Sequence, residues 1–330
     1  MVAYVFLAFW GPQSWEQARF TDMVAGTAFR PFVLRRLLPD LVAFLYGAMP
    51  IPIRDWLNAA YMPQGFLPYF SSLGSVPGGG GAFILYAVLT WGCYLGHALA
   101  MRRLVAHFYP EASRLVINGA PLLSLGLLPL TFRYYNYMYD PGTALLFPVG
   151  LLFLVRGQLL YYYMAYCAMC LNKETAILLA VQFGLVYWNR LPRLTLVAHL
   201  AAQAAIAVGI FFSISHRFAA NQGHHQFLLL SHNLGMWVNS LPTALYFLGI
   251  IVLFAYLVRR GWNRSPRLLH TMLFGTLLPL AFAGFLYGYM DELRDYLEPY
   301  PVLILLILPA VLEILGQPLK PAGDAPPAEA

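Results

Sequence analysis

The chain reads as an all-α polytopic membrane protein of about ten transmembrane helices, with a long first outer loop that contains a juxtamembrane helix. Three observations predict this. Hydrophobic residues make up 60% of the 330 and charged residues only 10%, against about 25% charged in ordinary globular chains. Apolar runs long enough to span, or nearly span, a bilayer recur at 82–101, 115–131, 142–156, 158–171, 174–188, 194–214, 240–258, 268–290 and 299–316. The basic residues fall between these runs rather than along one stripe, so the net charge of +6 reflects membrane topology and not nucleic-acid binding.

Taken in order, the N-terminal MVAYVFLAFW is too short to cross alone before Gly11-Pro12 and lacks the basic start and small-residue cleavage site of a signal peptide. It reads as the last part of a first helix. Segment 37–53 is apolar but carries Asp40, Pro39, Pro50 and Pro52, which suits a helix lying at the interface better than one crossing it. The nine apolar runs follow, the shorter ones tilting or flanking a cavity. Residues 1–316 form a single transmembrane domain, and 317–330, rich in Pro and Gly, read as a disordered cytoplasmic tail.

If the runs alternate, Arg102, Arg103, Arg114, Arg156, Arg190, Arg193, Arg259, Arg260, Arg264, Arg267 and Lys320 share one side, the cytoplasm by the positive-inside rule. The opposite side receives the 11–81 loop, segment 132–140, the Asn172-Lys173-Glu174 turn, the 216–232 loop and DELRDYLEP at 291–299. Ten of the 14 acidic residues lie there, so any chemistry belongs to that face. Arg19, Arg30, Arg35, Arg36 and Arg54 also fall there. Long loops escape the rule, and outward arginines are suited to phosphate.

Three charged elements stand out. Lys173 and Glu174 are the only charges between Leu159 and Trp188, and ionisable groups at membrane depth are costly enough to suggest function, with a structural ion pair as the plain alternative. Asp140 follows Phe132, Tyr134, Tyr135, Tyr137 and Tyr139 and precedes Pro141, a good first helical residue; an N-cap is the plain alternative. WEQARFTDMVAG places Glu16, Arg19 and Asp22 just beyond the first apolar stretch, where solvated loop charges are ordinary.

In order and in residue type these elements resemble the GT-C glycosyltransferases that use polyprenyl-phosphate sugars, such as protein O-mannosyltransferases and the aminoarabinose transferase acting on lipid A. Members have an acidic residue shortly before an Arg-Tyr or Tyr in the first outer loop, a juxtamembrane helix, an Asp-Pro in the second outer loop, and a lysine in a later turn. Here those look like Glu16 with Arg19-Phe20, the 30–50 segment, Asp140-Pro141, and Asn172-Lys173-Glu174, over about the first 190 residues. Glu16 stands where the family usually has Asp, Asp22 is its rival, and the large outer C-terminal domain of many members is absent.

The resemblance implies an inverting transfer of sugar from a polyprenyl-phosphate donor to a glycan, lipid or protein acceptor at the outer face of the cell inner membrane. Glu16 would be the general base and Asp140 would orient acceptor or sugar. Lys173 with Arg35 or Arg294 would bind the departing phosphate, Arg19, Asp22 and Glu174 would complete the substrate site, and Tyr137 and Tyr139 would stack on sugar or line the lipid path. No cofactor is implied; the GGGG at 78–81 lacks the Lys-Ser/Thr of a phosphate loop. His216, His224, His225 and His232 match no metal-ligand spacing, and Cys167-x-x-Cys170 reads as small residues on a helix. In DELRDYLEPY, Arg294 either reaches the substrate phosphate or belongs to a solvated loop. A polyprenyl-linked glycan polymerase or ligase, and a lipid-linked sugar transporter, are the rival readings. A transporter should show an internal repeat of helices, and none is evident.

Overall fold

The computed structural model describes residues 1–8, 11–12, 14–61, 80–132, 135–224 and 228–319. Tyr134, His225, Lys320, the first half of the GGGG run and the tail beyond 319 lie outside them. The described residues are helical, with one isolated bridge pairing Arg30 with Gly223. In chain order the helices are α1 Val2–Ala8, α2 Phe20–Ala25, α3 Leu37–Ala48, α4 Ile51–Tyr61, α5 Gly80–Phe108, α6 Arg114–Leu127, α7 Asp140–Val155, α8 Leu159–Asn172, α9 Ile177–Tyr187, α10 Arg193–Arg217, α11 Leu230–Asn239, α12 Leu241–Gly261, α13 Arg267–Tyr287 and α14 Tyr300–Ile314.

Each of the nine apolar runs is a helix, and prolines punctuate their starts. Pro192 and Pro266 immediately precede α10 and α13, and α7, α12 and α14 carry Pro in their first two positions, where a missing N–H costs nothing. Ser113 caps α6 by accepting from Val116 N–H. Gly157, at φ +69°, turns the chain from α7 into α8, a conformation a side chain would resist.

Five segments are long and apolar enough to cross a membrane: Gly80–Phe108, Arg114–Thr131, Arg193–Arg217, Leu241–Arg264 and Arg267–Tyr287. The bent pair α3–α4 makes a possible sixth, and Asp140–Val155, Glu174–Tyr187 and Tyr300–Ile314 are shorter apolar helices. The structure therefore supports an all-α membrane-embedded chain with five to six candidate spans among the described residues. The sequence suggests one interfacial helix over 37–53; instead the chain forms two helices and bends by 118° between them. The break falls at Met49, forced into extended backbone (φ −71°, ψ 141°) by the proline that follows.

α5 is the spine: α3, α4, α6 and α7 pack on it, α7 packs on α8, and α14 packs between α12 and α13. α10 and α12 are only 11% buried over their most apolar windows, the pattern of helices whose outer faces meet lipid. At one end of the bundle sit Arg102 on Asn118 (2.7 Å), Arg260 and Arg264 on Glu313 (3.0 and 2.6 Å), and Arg156 and Arg190, both within electrostatic reach of His107. The acidic residues of the 140, 174 and 291–298 segments gather at the other end.

Candidate functional site

The first loop reaches that acidic end because it is clamped at both flanks. Asn221 Nδ2 donates to Gly26 O and Ala28 O (both 2.9 Å), and Arg30 pairs with Gln222 and Gly223 beyond the end of α10. Arg36 N–H donates to Leu171 O at 2.8 Å, docking the chain on the last turn of α8, while its buried guanidinium binds Met23 O (2.7 Å) and Asp40. Arg35 is thereby delivered to the site.

Arg35 forms a two-armed pair with Glu174 (Nε to Oε2 3.0 Å), donates to the Tyr139 hydroxyl, and lies 4.2 Å over the Tyr139 ring. Tyr139 stacks on Tyr137 with centroids 5.4 Å apart and planes 21° apart. The other face of the pile belongs to Arg294, whose guanidinium carbon is 4.0 Å from the Tyr137 centroid. Two guanidiniums thus bracket two phenols. Tyr137 and Tyr139 are two residues apart in a non-helical stretch, so alternation puts them on one side, and cation–π attraction sets the order of the stack.

Asp140 opens α7 beside this pile and is 2% exposed. Its Oδ2 accepts from Tyr137 N–H (2.8 Å) and lies 3.7 Å from Arg294 NH1. The carboxylate therefore bonds backwards to the preceding loop rather than forwards to its own helix, which is not the bond an N-cap makes. Gly142 permits the close approach of α8: a Cβ there would sit 2.3 Å from Asn172 Oδ1, while Asn172 Nδ2 donates to Tyr139 O (3.0 Å) and Thr143 Oγ1 (2.9 Å).

Lys173, 4% exposed, is paired with the fully buried Glu298 at 3.2 Å, and the Thr175 hydroxyl also donates to Glu298. Burial works against the ammonium, but the charges of Glu298 and Asp295 outweigh it and raise its pKa. Glu174 faces the opposite way and its side chain is 48% exposed. Burial opposes its ionisation too, yet Arg35 holds the carboxyl down at about 2. Glu292, beside Arg294 and 8% exposed, is pushed up to about 7, burial outweighing the attraction of Arg294 and the nearby charge of Asp295 adding to it.

The site so gathers Arg35, Tyr137, Tyr139, Asp140, Lys173, Glu174 and Arg294. It also contains Glu292, Asp295, Glu298, Asn172 and Thr143, none of which carries a role in the sequence reading. Carboxylates outnumber the three cations. Arg35, whose ion-pair partner Glu174 is half-exposed and which also bonds the Tyr139 hydroxyl, is the cation an incoming anion can most readily recruit, and Arg294 has two buried donors, Nε and Nη1, without a hydrogen-bond acceptor among the described residues.

Glu16, Arg19 and Asp22 are not joined to this cluster by any hydrogen bond or ion pair among the described residues. Glu16 is 82% exposed at the side chain and 3.9 Å from Arg19; Asp22 accepts from Thr27 Oγ1 at 3.4 Å. The link between the two runs through the backbone: the turn Glu16–Ala18 packs on Phe32–Leu34, which leads into Arg35, and Trp15 lies 4.8 Å from Tyr135. Among the described residues no group of three or more His, Cys, Asp or Glu side chains is placed to hold a metal ion, and Cys93, Cys167 and Cys170 are free thiols.

No family model, curated protein or solved structure matches this chain.

Proposed function

We propose that the chain is a GT-C-type membrane glycosyltransferase that moves a sugar from a polyprenyl-phosphate donor to an acceptor hydroxyl, with the acidic end of the bundle facing the periplasm of a cell inner membrane. The observation that carries this reading is the Arg35–Tyr139–Tyr137–Arg294 pile with Asp140 and Lys173 beside it, which unites segments 35, 137–140, 173–174 and 294. In the proposed reaction the acceptor oxygen bonds to the anomeric carbon as the bond from that carbon to the phosphate oxygen breaks. The acceptor proton passes to a carboxylate and polyprenyl phosphate departs. One displacement inverts the anomeric centre.

The roles follow from exposure and partners. The leaving phosphate takes Arg35 in place of Glu174 and is stabilised by the open donors of Arg294. Asp140 holds Arg294 and the Tyr137 backbone in place. Glu16, exposed at the edge of the first loop, is the carboxylate free to serve as base, with Asp22 six residues on as its rival; Arg19 steadies Glu16. Lys173 contributes positive charge from within its pair. Glu16→Gln keeps size but cannot take a proton, so transfer should fall by about 10²–10⁴-fold with donor binding retained. Assayed beside Asp22→Asn, loss in the Asp22 variant alone moves the base to Asp22, and full activity in both removes the catalytic reading of this loop.

A further inference from the structure

A concavity lies along α11, outside the charged cluster. It measures about 270 Å³ and is walled by Ser231, His232, Asn239, Ser240, Thr243 and Asp291, with Met236 as its main apolar contact. Its walls are fixed. Asn233 Nδ2 donates to Phe285 O (2.8 Å) and Gly288 O (2.9 Å), its Oδ1 accepts from Met290 N–H (3.0 Å), and Leu229 N–H donates to Leu286 O (2.8 Å), so α11 is stapled to the end of α13. His232 stands edge-on to Tyr289 at 4.7 Å, and Ser240 donates to Thr243 at 2.8 Å. Flanking the concavity on α11 and at the start of α12, Leu234, Val238 and Leu241 are exposed. The apolar side suits lipid, and the polar side forms a concavity open to solvent.

The lining chooses the ligand. Hydroxyl, amide and imidazole groups supply donors and acceptors together, the pattern a polyol satisfies. Among the described residues no Lys or Arg lines the cavity, and Asp291 opposes an anion. Just below the range of ligand pockets, roughly 300–1,000 Å³, it has room for about one ring. Asp291 also adjoins Glu292 and stands three residues before Arg294, so the cavity and the charged site share one segment of chain.

We propose that this cavity binds a neutral hexopyranose, the acceptor sugar of the transfer; the word acceptor rests on the transferase reading, whereas sugar binding does not. The test uses the full chain in lipid nanodiscs, without donor lipid, with methyl β-D-glucopyranoside as probe in saturation-transfer NMR. Ring protons of the glycoside should be saturated, and Ser231→Ala and Asn239→Ala should each weaken its affinity at least about threefold, the worth of one hydrogen bond. Glucose 6-phosphate should bind at least about threefold more weakly than the glycoside. No saturation with the folded wild-type chain, or equal affinity in both variants and in the cavity-filling Gly235→Phe, overturns the proposal. Donor-dependent transfer surviving that result leaves the transferase reading intact. Sugar binding with no transfer under any condition leaves the cavity intact and overturns its role as acceptor site.

Discussion

Removing the carboxylate of Glu298 separates a phosphate-binding role for Lys173 from a structural one. The pair is 3.2 Å apart with side chains 5% and 0% exposed, so Glu298→Gln leaves an ammonium buried without its main counter-charge. Breaking one partner of such a pair costs about 3–5 kcal/mol, far more than the roughly 0–1 kcal/mol of a surface ion pair. Lys173→Met leaves the Glu298 carboxylate stranded at a similar cost. The double variant removes both charges and should recover most of the loss, giving a coupling of at least about 2 kcal/mol. Thermal unfolding of the four proteins in one detergent reads this directly. If Lys173→Met unfolds like wild type and only donor binding suffers, the pair is not structural and Lys173 is a phosphate ligand, as the sequence suggests.

Two further outcomes follow from the acidic end of the bundle. Because the Glu292 carboxyl is raised in the fold, to about 7 from an ordinary 4.5, its contribution to stability is complete below about pH 4.5 and is lost as pH rises through 7. The melting temperature of Glu292→Gln should therefore gain on wild type between pH 5 and 7 and hold that gain above 7, and a constant difference across this range would refute the assignment. For topology, single cysteines placed at Asp291 and at Arg102 should label from opposite sides of sealed vesicles, with Asp291 accessible from the periplasmic side; labelling of both from one side would contradict the arrangement.

The existence of the helices was legible because apolar runs bounded by prolines and paired arginines leave little else for the chain to do in a bilayer. Helix length was less so: the runs 158–171 and 299–316 become helices of 14 and 15 residues, shorter than any of the five candidate spans. Pro50 stands at the 49–50 break, yet the sequence reads as one interfacial helix over 37–53, because neither the break nor its angle is set until α4 packs on α5. In the site, the residue types at 35, 137, 139, 140 and 173 were readable, but their pairing was not. Lys173 and Glu174 look like partners for each other. In the fold Lys173 is extended (φ −161°, ψ 142°) while Glu174 starts a 3-10 turn, so the neighbours point apart and find Glu298 and Arg35. Those contacts span 125 and 139 positions, a distance over which local pattern carries no information.

The most direct test of the central claim is transfer of a labelled sugar from a polyprenyl-phosphate donor by the purified chain in lipid, compared with Arg35→Ala. The account predicts transfer with inversion by the wild-type chain. It also predicts at least a tenfold loss of donor binding in the variant, since a charge-assisted hydrogen bond contributes about 1.5–3 kcal/mol. Folding should be preserved, because the Glu174 carboxylate left behind is half exposed. Donor binding unchanged by Arg35→Ala, or carriage of the lipid-linked sugar across the bilayer with no transfer, would contradict it.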